Sequence, residues 1–457
     1  MESIGLLGSV VLLIWLALRG VNIILASLLC SLLVILTSGL SLADSLNEYY
    51  AFGPLGAFTF AGKFFLLFAA GAVFGRVMGE SHAASSIALS LIRVMGAHRA
   101  LVITTLACAA LTYGGVVTFV VIFAMYPLGL KLLQEADIPK RLFCAALALG
   151  AGTFTMTALP GTPSIHNVIS ASSLGTDLFA GFWIGLVSGL LMLLIGLWYL
   201  ERQRLAAARN GERFVPAATD QISTVDASDY PSWKLACLPL IFVMLVIILP
   251  RLISLSMDIE TLAHDSLLYG VLKFALSQPI LWPSIALTVG TLLAVALFEH
   301  IRGKAMKVLG DGTQDSIMPL INTAAVVGFG GIVVHTSGFA QFSSMMLESG
   351  LPPLISAFTS ISLVSAITGS ATGGLQIFMQ TMAPAYLEMG VEPQTLHRIA
   401  TMASGGFDSL PHCGAIIAML SVTGLNHKEA YRDVGVITVV IPVAVTLAMI
   451  GVIGVIG

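Results

Sequence analysis

Of the 24 acidic residues in this 457-residue chain, only Asp408 falls deep inside an apolar run, in Ser404-Gly405-Gly406-Phe407-Asp408-Ser409-Leu410-Pro411-His412. An ionisable group at membrane depth is costly, which makes it a functional-site candidate. His412 stands one helical turn on, within reach if Pro411 does not turn it away. A second stretch of the same kind is Thr155-Met156-Thr157-Ala158-Leu159-Pro160-Gly161-Thr162-Pro163-Ser164-Ile165-His166-Asn167. Pro160, Gly161 and Pro163 cannot continue a helix. Unwinding there frees backbone N–H groups at the start of a half-helix, an arrangement suited to a carboxylate anion. Gly161, Thr162, Ser164 and Asn167 on this break, with Ser404, Gly405 and Ser409 on the other, are the candidate ligands, and His166 is a further proton-bearing candidate. Two more interruptions, Thr112-Tyr113-Gly114-Gly115 and Thr368-Gly369-Ser370-Ala371 with Thr372 behind it, carry small polar residues. An intramembrane hydrolase built on Asp408, His412 and His166 would need a metal-ligand or paired-acid spacing such as His-Glu-x-x-His, and the chain has none.

The elements that hold these residues follow from composition. With 57% hydrophobic and 10% charged residues and a mean hydropathy of +0.96, the chain excludes a soluble globular enzyme and predicts one partnered by the lipid bilayer. A net charge of −3 offers no basic surface to nucleic acid. Cys30, Cys108, Cys144, Cys237 and Cys413 fit neither a disulfide framework nor a zinc site, and no cofactor motif is present. The apolar start at Ile4 lacks a basic flank and reads as a first span, not a cleavable leader.

Runs long enough to cross about 30 Å of hydrocarbon fall at roughly residues 4–18, 21–38, 56–78, 141–169, 178–200, 233–252, 279–298, 315–338, 394–423 and 433–455. The stretches 99–133 and 352–387 are too long for one helix and are broken at Thr112–Gly115 and Thr368–Ala371, so each is expected to be a re-entrant hairpin. With both termini outside, all but Lys63, Arg251, Lys273 and Arg398 of the 21 basic residues lie on the cytoplasmic side, as the positive-inside rule requires. The polar stretch 201–232 is then a cytoplasmic linker between the halves 1–200 and 233–457.

These halves correspond in order and at nearly constant separation: Thr112 with Thr368, Pro127 with Pro384, Arg141 with Arg398, and Leu159-Pro160 with Leu410-Pro411. Five spans plus a hairpin per half insert the second copy upside down. Inverted repeats with interrupted helices are the signature of a secondary transporter, and they disfavour a passive channel. The expected fold is an all-α polytopic membrane protein of ten spans and two re-entrant hairpins.

Gly-Thr-Pro-Ser-Ile-His-Asn (161–167) behind one hairpin, and Gly369-Ser370-Ala371-Thr372 followed by Gly405-Gly406-Phe407-Asp408-Ser409 in the second half, resemble the gluconate permease (gluconate:proton symporter, GntP) family of the ion transporter superfamily across the whole chain. The resemblance implies an elevator: hairpins and broken helices form a transport domain moving against a scaffold of the other spans, usually in a homodimer of the bacterial inner membrane. It further implies proton-coupled uptake of a small organic acid, with gluconate or sodium coupling as alternatives. Tyr113, Gly114 and Gly115 would close the first hairpin over the site, Ser370 and Thr372 would bind from the second, and Asp408 with His412 would carry the proton. Sugar-acid transporters of this family carry an aromatic–acid pair at the first hairpin tip. This chain has Tyr113-Gly114 there, which points to a less hydroxylated acid such as 3-hydroxybutyrate.

Overall fold

The computed structural model describes residues 2–96, 99–116, 118–216, 230–257, 262 and 266–456. Within them every regular element is helical. Six helices are long and apolar enough to cross a membrane, 42–80, 140–158, 182–209, 233–256, 305–333 and 427–455, and a seventh candidate is the pair 267–277 and 281–297, bent by 110°. Helices overlie the ten stretches read as spans, but Glu2–Leu18 and Ile23–Ser38 fall short of the length that crosses a membrane, Leu281–Leu297 reaches it only with its bent partner, and the runs 141–169 and 394–423 are each split in two.

The differences from the sequence reading have local causes. Phe182–Arg209 runs past residue 200 into the stretch assigned to the linker, held by the Arg204–Glu201 pair at 2.6 Å and by alanines that favour helix. Much of the rest of that linker, 217–229, lies outside the described residues, as does the side chain of Pro127. Ala305–Val333 starts ten residues before the apolar run at 315, because Asp311 and Asp315 on its polar turns reach Arg76 at 3.6 and 3.2 Å. Three short helices, Ala83–Met95, Leu267–Ser277 and Ser337–Leu347, were not foreseen; each is too short to register as a span.

Two groups of helices result. In the first, Ala57–Glu80 lies along Ala305–Val333, flanked by Ile23–Ser38 and Leu281–Leu297. Close approach depends on glycine: a Cβ on Gly328 would stand 2.6 Å from the Tyr50 carbonyl oxygen, and one on Gly331 2.3 Å from that of Tyr49. The second group contains the hairpins. Ala100–Tyr113 folds back on Thr118–Ala136, and Pro353–Thr368 on Ala371–Thr381. Around them pack the broken helices, together with Phe182–Arg209 and Ile441–Ile456.

Segments distant in the chain are tied together by polar contacts. Lys140 Nζ donates to the Thr423 carbonyl at 2.8 Å, and Arg141 grips Glu212 at 2.9 Å and buried Asp433, whose other oxygen accepts from Tyr199 Oη at 2.8 Å. Deleting one member of a buried charge pair strands the other. Asp433→Asn is therefore expected to cost about 3 kcal/mol and Tyr199→Phe about 1 kcal/mol. Thermal unfolding of the purified protein checks the order; equal melting temperatures for wild type and Asp433→Asn would refute it.

Candidate functional site

The first broken helix runs Lys140–Gly152, widens into a π-type turn at Phe154–Ala158, and restarts at Ile165–Leu174. Such turns are frequent at functional sites, although this fold has two others, at Ser45–Phe52 and Val436–Val440. Ser164 caps the restart: its Oγ accepts from the Asn167 N–H at 3.3 Å and donates to the Met156 carbonyl at 2.7 Å. Gly161 adopts φ +80° beneath the Phe179 ring, where a Cβ would lie 2.5 Å from Cε1. The second broken helix ends at Phe407 and restarts at Gly414, leaving Asp408 through Cys413 as irregular backbone around Pro411.

All four interruptions meet. From the first hairpin tip Tyr113 Oη donates to the Pro160 carbonyl at 2.9 Å. On the restarted first helix His166 Nε2 lies 3.1 Å from Thr372 Oγ1 at the second hairpin tip. That tip in turn meets the second break, where His412 Nε2 lies 3.0 Å from the Ala366 carbonyl and the Ala371 N–H points at the Asp408 carboxylate. Gly405 closes the ring, since a Cβ there would stand 2.5 Å from Thr157 Cγ2. Irregular backbone at membrane depth survives only where protein or a cavity surrounds it. A cavity opens to one side of this meeting point, between the first tip (Thr112, Gly115, Val116), the first break (Met156, Pro163, Ser164) and the other helix group (Leu67, Phe68, Leu287); Thr162, His166, Thr372 and Asp408 are not among its lining residues.

The candidate residues divide by what their polar atoms already do. Thr162 is fully enclosed and its Oγ1 has no partner, and Nδ1 of His166 has none either. Asp408 is buried, and Oδ1 accepts from Ser409 Oγ at 3.0 Å; it forms no ion pair among the described residues. Asn167 is engaged throughout: Nδ2 donates to the Thr162 and Leu178 carbonyls at 2.9 and 2.8 Å, so Oδ1 accepts a hydrogen bond from His397 Nε2 at 2.7 Å, and His397 Nδ1 accepts one from Thr176 at 2.7 Å. Ser404 bonds its own helix at Thr401, and Ser370 caps Ala371–Thr381 by accepting from the Gly373 N–H at 3.1 Å. Gly114 and Gly115 press the first tip against the other group, where added Cβ atoms would lie 2.4 Å from Leu240 and 2.6 Å from Leu287.

His397, Arg398 and Tyr431, whose Oη donates to the Ser409 carbonyl at 3.0 Å, belong to this neighbourhood and were not among the sequence candidates. A signal did exist for two of them: His397-Arg398 opens the second broken helix where Lys140-Arg141 opens the first.

Comparison with known proteins fits this geometry. An uncharacterized transporter of Bacillus subtilis, YxjC, is 36% identical over 466 residues, covering 97% of each chain. A high-affinity gluconate transporter of Escherichia coli is 25% identical over 408 residues, covering 86% of this chain and 84% of that one. In fold alone the chain is similar to the YdaH transporter of Alcanivorax borkumensis, at TM-score 0.54 and 13% identity over 87% of both chains. MtrF of Neisseria gonorrhoeae gives 0.52 and 15%, over 89% and 83%. The model of the GntP family permease matches residues 1–456, so this multi-pass membrane protein belongs to the GntP permease family.

Proposed function

We propose that the protein is a proton-coupled symporter of the bacterial inner membrane that takes up a short hydroxy acid such as 3-hydroxybutyrate. The observation that carries this reading is the closure of four interruptions around atoms lacking protein partners, Thr162 Oγ1 and His166 Nδ1, beside the enclosed carboxylate of Asp408. The start of Ile165–Leu174 supplies N–H groups to the carboxylate of the acid, Thr162 and Thr372 supply hydroxyls, and Tyr113 with Gly114 and Gly115 closes from the first tip. Asp408 carries the proton. Leu67, Phe68, Val116, Met156 and Leu287 on the cavity wall favour an acid with an aliphatic tail over a polyol. Gluconate stays the alternative, on the strength of the Escherichia coli relative. Counterflow in proteoliposomes against short hydroxy acids and sugar acids tests this: rapid exchange of 3-hydroxybutyrate is expected, and no exchange of any acid would end the reading. Substituting a sodium gradient for the pH gradient separates the two couplings.

We further propose that the halves 1–200 and 233–457 are inverted repeats with both termini outside. The hairpins, the broken helices and the two helices packed on them would then move as one body against the other group, in a homodimer. In a background lacking the five native cysteines, Tyr113→Cys and Ser370→Cys should react with membrane-impermeant maleimide from opposite sides. Labelling of both from one side would refute the inverted topology.

A further inference from the structure

The basic residues that open the two broken helices are satisfied differently. Arg141 is held by two acids, Glu212 and Asp433. Arg398 is completely buried and forms no ion pair among the described residues. Its Nε and Nη2 donate to the Ala180 carbonyl at 3.0 and 2.7 Å, and Nη2 also reaches that of Leu178 at 3.3 Å. Nη1 has no partner. Asp177, the nearby acid, is already engaged: Oδ2 lies 3.0 Å from Arg251 Nη1 and Oδ1 accepts from the Phe179 N–H at 2.7 Å.

The chain clears space for this guanidinium. At Gly181, with φ +60°, a Cβ would lie 2.6 Å from Arg398 Cβ, and at Gly185 one would lie 2.9 Å from both Cδ and Nε. The same Gly185 position is 2.3 Å from the Ala158 carbonyl oxygen, which sets the guanidinium beside the first break. Tyr113 reaches the same break through its bond to the Pro160 carbonyl. A buried cation offset by carbonyl dipoles alone is incompletely compensated. A planar guanidinium can keep its carbonyl contacts through Nε and Nη2 while Nη1 donates to a carboxylate oxygen in a fixed fork geometry.

We propose that Arg398 is the counter-charge for the transported anion, with Nη1 donating to one carboxylate oxygen when the tip carrying Tyr113 withdraws. The inference rests on reading the four interruptions as the substrate site, and it adds a specificity determinant: a full negative charge on the ligand. The bond is charge-assisted and enclosed, so its loss should weigh heavily on affinity.

The test is equilibrium binding to the full-length protein in nanodiscs, with 3-hydroxybutyrate and its neutral amide as probes, or gluconate and gluconamide if gluconate alone supports counterflow. Wild type should bind the acid at least about 100-fold more tightly than the amide. Arg398→Gln should raise Kd for the acid by about that factor and leave the amide unchanged, and Arg398→Lys should recover part of the preference. Equal binding of acid and amide by wild type would overturn the proposal with no variant needed. Wild-type acid affinity in a folded Arg398→Gln protein would overturn it too, as would parallel loss of acid and amide in the Lys variant. Failure of every acid in counterflow sinks the transport reading itself, a different result from retained acid binding without Arg398.

Discussion

Replacing Asp408 with asparagine is expected to reduce proton-driven accumulation to the level of protein-free liposomes while substrate exchange continues. The carboxylate sits in the irregular segment between Phe407 and Gly414, buried, with Ser409 Oγ donating to it at 3.0 Å and no cation within ion-pair distance among the described residues. Enclosing an ionised carboxylate without a counter-ion is costly, and protonation removes that cost. Loading and unloading a proton therefore changes the energy of the carrier in a way that can be tied to its movement. Asparagine copies the shape of the protonated acid and cannot cycle. Net uptake requires the empty carrier to return after releasing its proton, whereas exchange returns it loaded. Paired uptake and exchange assays with an imposed pH gradient and no sodium decide the matter. Full accumulation in the Asn variant would exclude Asp408 as carrier, and loss of both activities would assign it to binding or folding instead.

Thr162→Val and Asn167→Ala are expected to fail in different ways, although five residues separate them on one break. The Thr162 hydroxyl is enclosed and unpartnered. Replacing it with a methyl of the same shape removes no protein bond, so melting temperature should hold or rise. If the hydroxyl serves the substrate, affinity should drop about 5- to 10-fold, the equivalent of one hydrogen bond. Asn167 instead joins the Thr162 and Leu178 carbonyls to His397. Truncating it orphans buried polar groups at about 1–3 kcal/mol each, which predicts a protein several kcal/mol less stable that also binds poorly because the break has lost its shape. Thermal unfolding run beside substrate titration separates the two. A stable Asn167→Ala protein with selectively weakened binding would restore Asn167 as a direct ligand.

Sequence alone exposed the membrane class, apolar helical stretches along the chain and the four interruptions. Each of these depends on local physics: apolar run length against bilayer thickness, and proline or glycine where a helix cannot continue. Asp408 stood out for the same reason, as one charge in an apolar run. Local rules could not decide which polar atoms remain free once the chain has folded. Asn167 and Thr162 look alike as candidates along the chain, yet one is consumed by His397 from the other half, 230 residues away, while the other keeps an open hydroxyl. Arg398 reads as a stray basic residue on the outer side, and its enclosure by Gly181, Gly185 and two carbonyls exists only when the second broken helix docks against the loop that follows the first. Hydrogen-bond satisfaction is a property of the whole packed structure, because partners are supplied by segments distant in sequence; the order of residues marked where the breaks would fall, and the tertiary structure decided which of their groups keep no protein partner.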